Sequence, residues 1–196
     1  MGQDRCTGTP GRSSSRSTLD QKVTFFICPL PHLRTMRTNR HQYFLDLAHR
    51  CAHQGTCLRR NFGAIIVDEY NTIVSTGYTG APRKQLDCTE IKRCWRQDHQ
   101  IPSGSHYEKC RSVHAEMNAL IQAGKLARGC TLYLSGYEVP TEVPTSIWPC
   151  FLCAKMIVNS GIKSIIMRTG VSEFVEMDPI HLYQMRSRES LGEANI

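Results

Sequence analysis

Two stretches bound what this chain can fold into: Ser112-Val113-His114-Ala115-Glu116-Met117-Asn118-Ala119 and, further on, Pro149-Cys150-Phe151-Leu152-Cys153. One His and two Cys are the donor set of a three-ligand zinc site, which leaves the fourth tetrahedral position to water. Glu116, two residues from His114, has the chemistry to take a proton from that water and pass it on. The fold must therefore bring two separated segments together. Helix N-termini suit both. Cys150 and Cys153, three apart, project from one face of a first turn, where unpaired N–H groups favour thiolate over thiol. His114 and Glu116 at the start of another helix can face the same metal. A structural zinc knot uses the same residue types, and neither half of the pattern says much alone. Their order, with helix and strand signals around both, points to a catalytic site and an enzyme.

The segments between supply a scaffold. Tyr43, Phe44, Leu47, Ala48 and Cys51 recur at helical spacing over Asn39–His53, with Asn39 as the cap. Phe62–Asp68 and Thr72–Tyr78 are β-branched runs around the turn Glu69-Tyr70-Asn71, an antiparallel hairpin. A helix is expected over Ser112–Ala123, closing at Gly124, and a strand over Cys130–Leu134, followed by a loop from Gly136 to Trp148. Pro149 suits the first turn of the next helix, which stops at Asn159-Ser160-Gly161. Lys163–Met167 is a strand parallel to the previous one, through a right-handed crossover. Beyond Gly170 the pattern weakens to a tail, with a short helix over Pro179–Arg186. The order α-β-β-α-β-α-β predicts an α/β fold of three layers, α/β/α. Its mixed sheet has an antiparallel first hairpin and a parallel crossover around the zinc site.

Residues 1–37 are rich in Ser, Thr, Arg, Gly and Pro without a sustained period and read as a disordered basic extension. Met36 stands just before the first helix, which suggests translation from that codon. Domain 38–170 then carries the chemistry and 171–196 the tail. Residues 1–40 hold seven of the 24 Lys/Arg and two of the 17 Asp/Glu, so +5 of the net charge of +7 sits there. The body is nearly neutral, which argues against a nucleic-acid surface. The longest apolar candidate, Val23–Leu33, is short and broken by Pro29 and Pro31, too little to cross a membrane. No export signal is recognisable, so ten cysteines point to metal or redox chemistry in the cytoplasm before disulfides.

Residues 79–110 form a long polar loop holding Cys88, Cys94, His99, His106 and Cys110. Loops of this length are functional or pinned. A metal is the expected pin. His41, His49, His53, His99 and His181 read as surface or packing residues, and Cys51 as core.

The His-x-Glu and Pro-Cys-x-x-Cys pairing is the pattern of the zinc nucleobase deaminases. Over about residues 39–170 the chain resembles the deoxycytidylate (dCMP) deaminase family of the cytidine deaminase-like fold. The resemblance rests on Thr56-Cys57-Leu58-Arg59-Arg60, Phe62-Gly63-Ala64-Ile65-Ile66-Val67, Gly77-Tyr78-Thr79-Gly80-Ala81-Pro82, Cys110–Ala119, Pro149–Lys155 and Gly161-Ile162-Lys163. It implies hydrolytic deamination of dCMP to dUMP and ammonia, by attack of zinc-bound hydroxide with Glu116 as proton shuttle, in a homo-oligomer, often a hexamer. Carried over by position, a second, structural zinc would take Cys57, Cys88, His106 and Cys110, with Cys94 as an alternate to Cys88. That set would tie the long loop to the first strand and the catalytic helix.

Two departures bear on substrate. Where the family has Gly-Tyr-Asn-Gly, this chain has Gly77-Tyr78-Thr79-Gly80, putting a hydroxyl in place of an amide that contacts substrate. The segment from Leu134 to Pro149 is longer than usual. Arg59, Arg60 and Arg111 adjoin the matching segments and are candidates to bind a phosphate. Two alternatives stand beside dCMP: deamination of another nucleobase compound, including adenosine in tRNA, and a non-catalytic zinc-binding protein of the same fold.

Overall fold

In the computed structural model, residues 38–192 apart from Ser103 are described; the expected extension over 1–37, with its start at Met36, lies outside them. Five strands, β1 (Arg60–Val67), β2 (Ile73–Tyr78), β3 (Thr131–Glu138), β4 (Ser164–Arg168) and β5 (Phe174–Met177), form one sheet in the order β2-β1-β3-β4-β5. β1 is antiparallel to both β2 and β3, β3 and β4 are parallel, and β5 closes the edge antiparallel to β4. The helices are α1 (Arg40–Ala52), α2 (Cys88–Ile91), α3 (Trp95–Asp98), α4 (Ala115–Ala123), α5 (Phe151–Ser160) and α6 (Pro179–Leu191).

Alternation along the strands sorts the core into two layers. Ile65 and Val67 of β1, Tyr133 of β3 and Ile166 of β4 meet Phe44, Leu45 and Ala48 of α1 on one face. Their neighbours Ala64, Ile66, Leu132, Leu134, Ile165 and Met167 face the other way, onto α4, α5 and α6 through Ala119, Ile157 and Leu182. Each fully buried Ile or Leu contributes about 1.5–3 kcal/mol over exposure. The expected three-layer sandwich is thus present. Local signals act as expected at two points: Asn39 caps α1, accepting from His41 N–H at 2.8 Å, and Asp68 Oδ1 accepts from Tyr70 and Thr72 N–H in the hairpin turn, where Asn71 takes φ 66°.

Four expectations need correction. Gly136 is not the start of a loop, because β3 runs on to Glu138 against Arg60–Phe62. A Cβ there would come within 2.3 Å of Asn61 O and the Phe62 ring, so the glycine serves strand pairing and not a turn. Pro149 precedes the helix, since Cys150 is the N-cap with extended backbone (φ −69°, ψ 167°). Likewise α4 begins at Ala115, three residues later than Ser112, because His114 is the N-cap (φ −71°, ψ 154°). Residues past 170 are no loose tail: they build β5 and a 13-residue α6 whose N-cap Asp178 accepts from Ile180 and His181 N–H, with Pro179 at the first position.

Candidate active site

Both halves of the site sit at helix N-caps on the same face of the sheet. α4 lies close on β2, and a Cβ at Gly77 would fall 2.3 Å from Ala115 O and 2.4 Å from Ala119 N, so only glycine permits the approach. Ser75 Oγ donates to Ala119 O and Asn118 Nδ2 to Tyr78 O, each at 2.8 Å. Just before the helix, Gly80 and Val113 exchange backbone hydrogen bonds (2.7 and 3.2 Å), which fixes the run into His114. The N-cap side chains of His114 and Cys150 make no capping bond and are left free for a metal.

The donor atoms converge. Cys150 Sγ lies 3.5 Å and Cys153 Sγ 3.4 Å from His114 Nδ1. All three donors lie within 4.8 Å of one another, and among the described residues no other group of three His, Cys or acidic side chains does so. Beside them Glu116 is only 3% exposed, and its Oε2 is buried without a hydrogen-bond partner. One imidazole and two sulfur donors, with a carboxylate beside them that keeps one oxygen unpartnered, fit a zinc ion.

The electrostatics follow from burial and proximity. Glu116 is held above the usual carboxylate range chiefly by burial, partly offset by His114. Burial pulls His114 down, but its hydrogen bond with Cys150 and the charges of Glu116 and Cys150 leave it raised. A hydrogen bond from Cys153 brings Cys150 down to about 4, with His114 adding to the effect, while Cys153, as that donor, is pushed up. Cys150 is thus the more acidic of the two thiols, and a divalent cation held there would favour thiolate at both.

A cleft of about 770 Å³ opens above Glu116 and His114. Thr79, Arg59 and Arg60, the residues expected to contact substrate, are among its lining residues. Arg60 is paired with Glu138 at 2.6 Å. Thr79 is buried, its hydroxyl accepting from Phe62 N–H at 3.2 Å and facing Phe62 O at 3.4 Å. Arg111 is exposed and lies away from this cleft, lining another hollow.

That second hollow, of about 500 Å³, gathers Cys57, Cys88, Cys94 and Cys110. Cys88 rises to about 11 through burial and the neighbouring Cys57, Cys94 and Cys110, so the thiols interact. Two sulfurs accept backbone N–H groups two residues on: Cys57 from Arg59 at 3.4 Å, and Cys110 from Ser112. His106 does not line the hollow. It is exposed, with φ 51°, and its Nδ1 pairs with Glu108 at 3.2 Å. Cys94, expected as a substitute for Cys88, stands beside it instead.

Several cleft residues escaped the sequence reading. Arg96 is buried in the long loop, its Nη2 donating to Pro102 O (2.7 Å) and Ser105 O (2.8 Å) while its guanidinium lies 4.4 Å over the Tyr107 ring. Tyr107 in turn packs edge-on against His114 (4.9 Å, 88°). Trp148 and Arg186 complete the wall beside Phe151 of the Cys-x-x-Cys motif; Arg96, Tyr107, Trp148 and Arg186 are the ones the sequence did not single out. No local pattern marks these residues. Only the loop's return to α4 and the packing of α6 on α5 bring them in.

A three-layer α/β/α sandwich with a His-Cys-Cys donor group and a buried carboxylate at two helix N-termini defines the class: the fold and donor pattern of the zinc nucleobase deaminases. The chain belongs to the family described as the cytidine and deoxycytidylate deaminase zinc-binding region, which matches residues 38–169. Among curated relatives, the deoxycytidylate deaminase of Schizosaccharomyces pombe is 30% identical over 130 residues, covering 65% of this chain and 36% of the relative. That of Mycobacterium phage D29 is 32% identical over 130 residues, 64% of this chain and 91% of the relative. The chain thus spans little more than a third of the fungal relative and nearly all of the phage one. Among solved structures, a dCMP deaminase from the cyanophage S-TIM5, in complex with dCMP and dUMP, shares the fold at TM-score 0.50 and 21% identity, over 77% of this chain and 94% of that one. Among the described residues no helix is long and apolar enough to cross a membrane.

Proposed function

We propose that the chain catalyses zinc-dependent hydrolytic deamination of a cytosine nucleotide, dCMP to dUMP and ammonia, as a cytoplasmic homo-oligomer. The observation that carries this reading is Glu116: a buried carboxylate with one uncommitted oxygen, beside three metal donors, at the floor of a cleft of nucleotide size. His114, Cys150 and Cys153 would hold the ion, which supplies a Lewis acid able to activate water at neutral pH. Glu116, with its raised proton affinity, is suited to take a proton from water and deliver protons to the ring nitrogen and the departing amine. Water replaces the exocyclic amine, so a C–N bond breaks, a C–O bond forms, and ammonia leaves. Phe62, Ile147, Trp148 and Phe151 offer apolar walls for a planar base.

A second ion would be held by Cys57, Cys88, Cys94 and Cys110, which share one hollow, with His106 outside the set. One observation favours a wider substrate range than dCMP alone. The Thr79 hydroxyl is engaged with the Phe62 backbone and has little to offer a substrate.

The test is ammonia release and product mass with dCMP, CMP and deoxycytidine, comparing zinc-loaded wild type with Glu116→Ala. The expected outcome is dCMP turnover that vanishes in the variant while zinc stays bound. A folded, zinc-loaded wild type inert toward every cytosine compound would overturn the reading.

A further inference from the structure

The reading above leaves the cations of the cleft without a task, and one of them is placed for it. Arg186 stands on α6, which is fixed over α5 by the fully buried Leu182 and by Tyr183 stacked on Phe151 at 5.7 Å. This places Arg186, Glu189 and Ser190 in the lining of the cleft that holds His114 and Glu116. The Arg186 side chain is only 20% exposed, its guanidinium lies 5.8 Å from the centre of the Trp148 ring, and its Nη1 pairs with Glu189. Its Nε is buried and has no partner.

The other cations around the cleft have their own positions. Arg96 is committed to two loop carbonyls and Tyr107. Arg60 is held by Glu138 on the strand side, and Arg59 reaches Ile101 O at 3.5 Å. Arg186 alone among these four stands on the α6 side. A guanidinium with its stem confined and part of its fork free suits a phosphate, whose oxygens match that geometry.

We propose that Arg186 is the phosphate-recognising residue of the cleft, so that the C-terminal helix sets the preference for a nucleotide over its nucleoside. Trp148 confines the guanidinium, Glu189 holds one edge of it, and the free edge takes a monophosphate oxygen of a ligand whose base lies at Glu116. This rests on the proposed cytosine-nucleotide reading and deepens it.

The experiment measures binding of dUMP and of deoxyuridine to the zinc-loaded full chain by calorimetry, for wild type, Arg186→Ala and Arg186→Lys. Loss of a charge-assisted bond predicts dUMP binding weakened roughly 10- to 100-fold in Arg186→Ala. Deoxyuridine binding should stay within about twofold, and Arg186→Lys should recover part of the loss because it restores the charge without the fork. Should the alanine variant fold poorly, Arg186→Gln keeps most of the stem against Trp148 and carries the same expectation. Equal weakening of both ligands would make Arg186 a merely structural residue, and unchanged dUMP binding would also overturn the assignment. Those results leave the proposed reaction standing. Wild type that binds neither ligand and releases no ammonia would take down both.

Discussion

At the candidate catalytic centre, three donors come from two helices seated on the sheet, His114 and Cys150 as N-caps and Cys153 one turn in, and they lie within 4.8 Å of one another. At the second thiol group, four donors come from the approach to β1, from the starts of the four-residue helices α2 and α3, and from the end of a short 3₁₀ turn. No three of those sulfurs meet the same 4.8 Å spacing, although all four share one hollow. The difference is one of preorganisation. Where sheet and helix place the donors, an ion would be needed only for chemistry; where loops place them, an ion would itself have to supply the closure.

That contrast can be broken at several points, and the largest effect is expected in the loop. Structural zinc contributes on the order of 10 kcal/mol to folding, so Cys110→Ser should lose one ion per chain and much of the cooperative thermal transition, followed by circular dichroism and metal analysis. A variant that melts like wild type would mean that no ion braces the loop. Next, Glu116→Gln should lower kcat on the order of 10²- to 10⁴-fold. Its metal content should hold and its melting temperature should match or exceed that of wild type, because a buried carboxylate has been neutralised. A lowered melting temperature with near-normal turnover would reverse the roles given to the two regions. A finer test pairs Cys94→Ser with His106→Ala. The first should release the second ion, and the second should change stability by no more than about 0.5 kcal/mol; the opposite result would restore His106 as a ligand. A smaller effect than the loss of an ion is expected from Thr79→Val, which strips the acceptor from Phe62 N–H at a cost of about 1–3 kcal/mol, read by urea denaturation, with KM for dCMP unchanged. A tenfold rise in KM at unchanged stability would instead make the hydroxyl a substrate contact.

The sheet, its order of elements and the catalytic donors were legible in sequence because each has a local cause. Periodicity marks α1, β-branched runs mark β1, β2 and β4, and His-x-Glu with Cys-x-x-Cys marks the centre. The starts of α4 and α5 were misplaced because neither His nor Cys is a common capping type. Here the N-cap side chain is reserved for a metal, not for the helix. β3 was cut short at Gly136 because a glycine reads as a turn unless its strand partner is known. β5 is four residues long at a sheet edge, too short for a pattern. That Cys94 joins Cys88 in the hollow while His106 stays outside depends on how a loop of some thirty residues folds back, which no periodicity encodes. Tyr107, Trp148 and Arg186 were missed for the same reason: they reach the cleft through tertiary packing alone.

Arg168, at the end of β4, has a role on both sides of the sheet. Its side chain is nearly fully buried and reaches Asp46 on α1 at 2.5 Å, while its backbone carbonyl accepts from Ile147 N–H at 3.3 Å. Ile147 lines the cleft. One residue thus acts as a rivet through the sheet, clamping the outer helix at one end and a wall of the cleft chamber at the other. A change at Asp46, out of reach of any substrate, would loosen that rivet and be felt as play in the chamber wall.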